Sequence, residues 1–141
     1  MREILFRGKR VDNGEWVEGG LITGYDYLDE SPMDVIVPID AVFYPHNEVC
    51  DFFLVNPETV GQYTGLKDRN GVKIFEGDIL EIIDRWNKSQ IWLVKYQSAA
   101  LMLRQKGLVY YAHFSEFPQR FYSYEVIGNI HDNPELLEVQ K

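Results

Sequence analysis

The side chains able to do covalent or metal chemistry are few and widely spaced in this 141-residue chain. Its histidines are His46, His113 and His131, and its single cysteine is Cys50. A metal would need His46 and Cys50, with Glu48 or Asp51 beside them and a distant ligand such as His131. That spacing matches neither a His-x-x-x-His pair nor a paired-cysteine knuckle. No metal is expected there, and the segment reads as a proline-flanked polar loop. Asp78 and Glu81 lie three apart, which in a strand places them on opposite faces and suits them poorly as a paired acid and base. Glu76 and Asp78 share a face across Gly77, where solvation is the ordinary account. Ser115 near His113 is no triad without the geometry to make it one. Gly19-Gly20 and Gly61-x-x-x-Gly65 lack the lysine and the strand-to-helix setting of phosphate loops. No catalytic, cofactor-binding or metal residue is assigned, and the chain is not expected to be an enzyme.

Charge is distributed more informatively. No Lys or Arg occurs between Arg10 and Lys67, an interval that holds eleven acidic residues, within a chain of net charge −8. Between Asp84 and Glu116 the bias reverses, with Arg85, Lys88, Lys95, Arg104 and Lys106 facing no acid at all. These five, with Trp86, form the candidate interaction surface. Three readings stay open: two solvated faces, acidic and basic surfaces that meet across a subunit or partner interface, or nucleic acid held by phosphate contacts and stacking on Trp86, Trp92 and Tyr96. The acidic half disfavours the last. So does strand alternation, which places Trp92, Val94 and Tyr96 on one face and Leu93 and Lys95 on the other.

The elements that must position these residues are strands. Aromatics are plentiful, with eight Phe, nine Tyr and three Trp, as suits a chain that folds around a core. One cysteine rules out an intrachain disulfide. No apolar run approaches the roughly 20 residues that span a bilayer, and Met1–Arg7 enters a charged alternating pattern without the apolar stretch of a signal peptide. A cytoplasmic protein without membrane contact is expected. Alternation around Asp12-Asn13-Gly14 predicts a β-hairpin over 4–21. Asp34–Val37 and Asp40–Tyr44, broken by Pro32, Pro38 and Pro45, read as edge strands or loop pieces. Phe52–Val55, Val60–Tyr63, Ile79–Ile83, Ile91–Tyr96, Leu101–Leu103, Leu108–His113 and Tyr124–Ile130 follow as strands. Residues 98–104 and 115–120 tempt at most one helical turn each. Short strands at close spacing favour a sandwich or small barrel.

Three blocks resemble the YopX-like proteins of bacteriophages and prophages. They are Met1 to Lys9, the run Asn56-Pro57-Glu58 through Asn70-Gly71 with Ile74-Phe75-Glu76-Gly77-Asp78-Ile79, and Glu125-Val126-Ile127-Gly128-Asn129-Ile130-His131-Asp132-Asn133-Pro134 onward to Leu137. The resemblance implies a mainly β protein with an amino-terminal β-hairpin and strand portion (1–59), an SH3-type barrel (60–133) and a tail (134–141). It supplies no enzymatic activity or catalytic residues, and it implies self-association. It does not reach residues 23–51. Together these observations point to a phage or prophage accessory protein of a bacterial host's cytoplasm, acting by self-association or by binding another protein. Gly77 is expected to give a tight strand entry, Asn70-Gly71 to close a hairpin, and Gly128 to mark a bulge or close backbone approach.

Overall fold

Asp12-Asn13-Gly14 turns the chain as its composition requires. Gly14 sits at φ +71, its N–H donates to the Arg10 carbonyl at 2.9 Å, and Asn13 Oδ1 accepts from the Glu15 N–H at 3.0 Å. In the computed structural model, which describes residues 3–38, 52–97, 99–107 and 111–138, this turn joins the first two of eleven strands. The chain divides into two units, Met1–Tyr63 and Thr64–Lys141. No α-helix occurs among the described residues, where the helical pieces are the 3-10 turns Pro57–Thr59, Phe114–Glu116 and Pro134–Leu137.

In the first unit β1 (Phe6–Lys9) pairs antiparallel with β2 (Trp16–Tyr25), Phe6 opposite Gly19 and Lys9 opposite Trp16. Beyond that hairpin β2 continues into a second one with β3 (Pro32–Val37), Gly20 opposite Val37 and Tyr25 opposite Pro32. β4 (Phe53–Val55) pairs with the other side of β3. β5 (Gly61–Lys67) starts beside β1, with Gln62 opposite Phe6. The edge-strand expectation for 34–37 is thus corrected: β3 is interior, between β2 and β4. Its prolines do not interrupt it, because Pro32 is its first residue and Pro38 follows its last, positions where no ladder bond is lost. The proposed strand 40–44 lies outside the described residues. Leu5, Ile36 and Val55 form the buried centre of this unit.

In the second unit β5 pairs with β6 (Lys73–Phe75). A five-stranded antiparallel sheet follows, built from β7 (Asp78–Ile83), β8 (Ser89–Gln97), β9 (Ala100–Gln105), β10 (Tyr111–His113) and β11 (Ser123–Asn129). One face carries Leu80, Ile82, Trp92, Val94, Leu103, Ala112 and Tyr124, all buried, with Phe114 packed on them. The helix-prone stretch is strand from Ala100 on, as part of β9. Leu103 is fully buried and paired with Val94 on one side and Ala112 on the other, so tertiary burial overrides the local preference of Ala, Leu and Met for helix.

The expected SH3-type barrel over 60–133 is overturned. The strand order is β10-β9-β8-β7-β11, and among the described residues no sheet closes. Two features keep it open. The 3-10 turn Phe114–Glu116 and Pro118 end the short β10, and the chain returns on the far side of β7, with Tyr124 opposite Ile82. The outer edge of β11 is then already occupied: Arg69 N–H donates to the Tyr124 carbonyl at 3.0 Å, and Asp68 Oδ2 accepts from the Val126 N–H at 3.0 Å. An edge satisfied by a turn has no free ladder groups with which to close a barrel.

Candidate interaction surfaces

The motif residues shared among the three blocks hold turns together. Asp68, nearly buried at 7% exposure, accepts from the Asn70 and Val72 N–H groups at Oδ1, both at 2.9 Å. Its other oxygen takes Val126, so one carboxylate ties the β5–β6 turn to β11. Gly77 stands at φ +92, a conformation that favours glycine. There its N–H donates to the Val94 carbonyl and its carbonyl accepts from the Ile130 N–H, both at 2.9 Å. Asp78 Oδ2 accepts from the Phe75 N–H at 2.7 Å and Glu76 Oε2 from the Tyr96 N–H at 3.2 Å. Asn129 Oδ1 accepts from the N–H groups of His131 and Asp132 at 3.0 and 2.9 Å. The register of β11 shifts between Val126 and Gly128, and a Cβ at Gly128 would sit 2.6 Å from Asn133 Oδ1. Gly128 thus follows a bulge whose unpaired residue is Ile127 and is itself a close approach.

Of the residues weighed for chemistry, His46, Glu48, Cys50 and Asp51 lie outside the described residues. Among those described, no group of three or more His, Cys, Asp or Glu side chains is placed to hold a metal ion. The backbone N–H of His113 donates to Glu116 Oε2 at 2.9 Å, which makes Glu116 a cap for the following turn. No helix among the described residues is long and apolar enough to cross a membrane.

The basic stretch is spread over the sheet. Arg85, Trp86 and Lys88 belong to the turn between β7 and β8, which Asp84 organises by accepting from the Trp86 and Lys88 N–H groups, both at 2.9 Å. Lys106 comes to the same end of the sheet, its N–H donating to the Ile91 carbonyl at 2.9 Å. Arg104 lies opposite Leu93 and Tyr111. Cross-strand partners share a face, so it points away from Trp92 and Val94. Lys95 shares that side, opposite Met102, but lies seven strand residues from Lys88, roughly 23 Å along the strand. The tryptophans separate completely: Trp92 is 2% exposed in the core and Trp86 is 68% exposed on the turn.

Trp86 forms one wall of a cleft of about 330 Å³, lined also by Asp84, Arg85, Glu116, Pro118, Phe121 and Tyr122. The Arg85 guanidinium lies 4.3 Å over the Trp86 ring and that of Arg120 4.9 Å over Phe121. Sequence reasoning found Arg85 and Trp86 but missed Arg120 and Phe121. Their only signal was a basic-aromatic step after Pro118, thirty-odd residues along the chain, with nothing to pair it with the β7–β8 turn.

A second exposed group lies in the first unit, where β2 and β3 run into the turn at residues 26–31. Tyr25, Tyr27 and Leu28 are 75%, 91% and 83% exposed. Asp26, Asp29 and Glu30 stand among them. The turn is well bonded: Asp26 N–H donates to the Ser31 carbonyl and Glu30 N–H to the Asp26 carbonyl, both at 2.8 Å. Asp26 Oδ1 accepts from the Leu28 N–H at 2.7 Å. Asp29 Oδ1 accepts from the Ser31 hydroxyl at 2.6 Å, which with the Ser31 N–H holds its carboxyl below the usual value.

Burial also sets one measurable titration. Tyr124, edge-on to Phe114 at 5.1 Å, has its hydroxyl pushed up to about 12 by desolvation and by neighbouring Tyr122. The folded state therefore holds this proton more tightly than the unfolded chain, whose tyrosines ionise near 10. Tyr124 supports the fold fully below pH 10, and that support is lost as pH rises from 10 to about 12. The phenolate absorbance difference between the wild type and Tyr124→Phe is expected to develop only near the upper value. A difference complete by pH 10 would contradict the burial.

An open antiparallel β protein whose motif residues fasten turns and strand edges is the class these features define. The chain belongs to the YopX protein family, whose model matches residues 5–138. It is similar to the crystal structure of protein EF1440 from Enterococcus faecalis, at 27% identity and a TM-score of 0.56, covering 98% of this chain and all of that one. Protein yopX from Bacillus subtilis has a similar fold, at 16% identity and a TM-score of 0.54 over the full length of both chains. No curated protein matches the chain.

Proposed function

We propose that the chain is a non-catalytic protein-interaction or self-assembly module, a phage or prophage accessory protein of the bacterial cytoplasm. The observation that carries this is the grouping of exposed aromatic and aliphatic side chains at two charged places: Tyr25, Tyr27 and Leu28 among acids, and Trp86 and Phe121 under Arg85 and Arg120, with Asp84 and Glu116 in the same cleft. Single exposed apolar residues are ordinary, whereas groups of them rimmed by charge mark contact surfaces. Trp, Tyr and Arg are also the side chains that most often dominate binding energy. Family membership and relatives from two bacteria support the setting.

Light scattering across a concentration series is expected to show an oligomer that dissociates as salt rises, because its rim contacts are charged. A monomer at every concentration removes the self-assembly form. The stacked Arg85–Trp86 pair also suits a nucleic-acid base, so the same preparation belongs in a low-salt mobility shift with DNA and RNA. A shift there, with no oligomer, would replace the protein-contact reading.

A further inference from the structure

We infer that the β2–β3 tip of one copy, residues 25–30, seats in the Trp86–Phe121 cleft of a second copy. The inference rests on the self-assembly reading above and names its contact.

The tip is built to be inserted. The outer half of β2 is exposed on both faces, Ile22 and Tyr25 included. An isolated two-stranded ribbon of that kind is marginal by itself in water, yet this one is locked by the bonds within residues 26–31 described above. Those bonds fix the backbone and leave Tyr27 and Leu28 pointing outward. A surface ordered before binding loses less freedom on docking. Glu30 is held at φ +59, which keeps the turn tight and places three acids within five residues.

The cleft supplies the complement. Its apolar lining of Trp86, Pro118, Phe121 and Tyr122 suits a phenol and an aliphatic chain, with Asp84, Arg85 and Glu116 beside it, and its volume lies at the small end of ligand-binding clefts. Asp84 accepts from the Trp86 and Lys88 amides and Glu116 from that of His113, and at this end of the sheet the basic Arg85, Lys88, Lys106 and Arg120 outnumber these two carboxylates. Arg85 and Arg120 lie over their rings and make no ion pair among the described residues, so their N–H donors remain for an incoming carboxylate. The tip brings Asp26, Asp29 and Glu30 to them, from a segment, 11–66, that contains no Lys or Arg to compete. Opposite charge around apolar inserts gives both register and attraction. A second copy is the occupant these observations specify, because each chain presents one tip and one cleft.

Two variants test it. Arg85→Glu with Arg120→Glu inactivates the cleft, and Tyr27→Ser with Leu28→Ser inactivates the tip. All four side chains lie outside both cores, and thermal unfolding of each variant checks that the fold is kept. In sedimentation velocity the wild type is expected to associate, and each variant alone to associate about 30-fold more weakly or worse. An equimolar mixture of the two is expected to recover a one-to-one complex, since an intact tip then meets an intact cleft. A wild type that associates while either variant associates equally well overturns the tip–cleft contact and leaves self-assembly standing. So does a mixture that fails to recover. A monomeric wild type overturns both. A cleft variant that loses binding to a proline-rich peptide or to DNA, with the tip variant unchanged throughout, assigns the cleft to that partner and also overturns the contact.

Discussion

Asp68→Ala is expected to cost about 4 kcal/mol of unfolding free energy, read from denaturant titration at unchanged m. The carboxylate accepts three backbone N–H bonds, from Asn70, Val72 and Val126, in a nearly buried position. Hydrogen bonds to a charged acceptor stabilise by about 1.5–3 kcal/mol each, less when they share one atom and fail together. Alanine leaves all three donors without their acceptor and opens the edge of β11. Against a total of about 5–15 kcal/mol for an ordinary domain, that is enough to leave the second unit marginal. Asp68→Asn keeps Oδ1 for the turn but sets an amide nitrogen or a rotated oxygen against Val126, and about half the loss is expected. The variant should also aggregate more readily than the wild type, since an uncovered strand edge is a template for pairing. A loss for Asp68→Ala below about 1 kcal/mol, the net worth of a single ordinary hydrogen bond, would mean the carboxylate is not what covers that edge.

Asp68 also shows where sequence stopped being legible. Its turn was readable, because Asn70-Gly71 announces one, and Gly71 does take a positive φ of 80°. Its tie to Val126 was not, because that contact joins residues 58 apart and no local pattern encodes it. The same division runs through the molecule. Strands β1, β7, β8 and β11 follow from alternation and turn chemistry close to hand. The open sheet does not: closure depends on which strand β11 joins, and that is settled by Phe114, Pro118 and the Asp68 turn acting together. β3 is interior although its prolines suggest an edge, because Pro32 and Pro38 stand at the strand's two ends, where no ladder bond is lost. The cleft was half legible for a similar reason. Arg85 and Trp86 are adjacent in sequence, whereas Arg120 and Phe121 reach them only through the fold. Lys95 entered the candidate surface by proximity in sequence, and the strand carried it to the other end of the sheet.

The two tryptophans are expected to part by function as sharply as they part by burial. Trp92→Ala should destabilise the second unit by about 4 kcal/mol, the cost of emptying a large aromatic site in a close-packed core. Trp92 is 2% exposed, its ring 5.2 Å from that of Phe117, and Leu80 and Gln105 lie directly beside it in the sheet. Leu80 is itself held between Trp92 and Val126 in the ladder, so the sheet cannot collapse far into the space. Trp86→Ala removes a largely exposed ring covered by Arg85, and its turn is held by Asp84 accepting from backbone amides, which the substitution leaves in place. Its effect on unfolding is expected to stay within about 0.5 kcal/mol, as for most surface changes. Association, by contrast, should weaken by the factor typical of a lost aromatic anchor, about 30-fold or more. Denaturant titration and sedimentation on the same two variants separate the effects. Equal destabilisation by both would mean Trp86 is part of the core. A Trp86→Ala protein with wild-type stability and wild-type association would show that the exposed ring, and the cleft it walls, take no part in assembly.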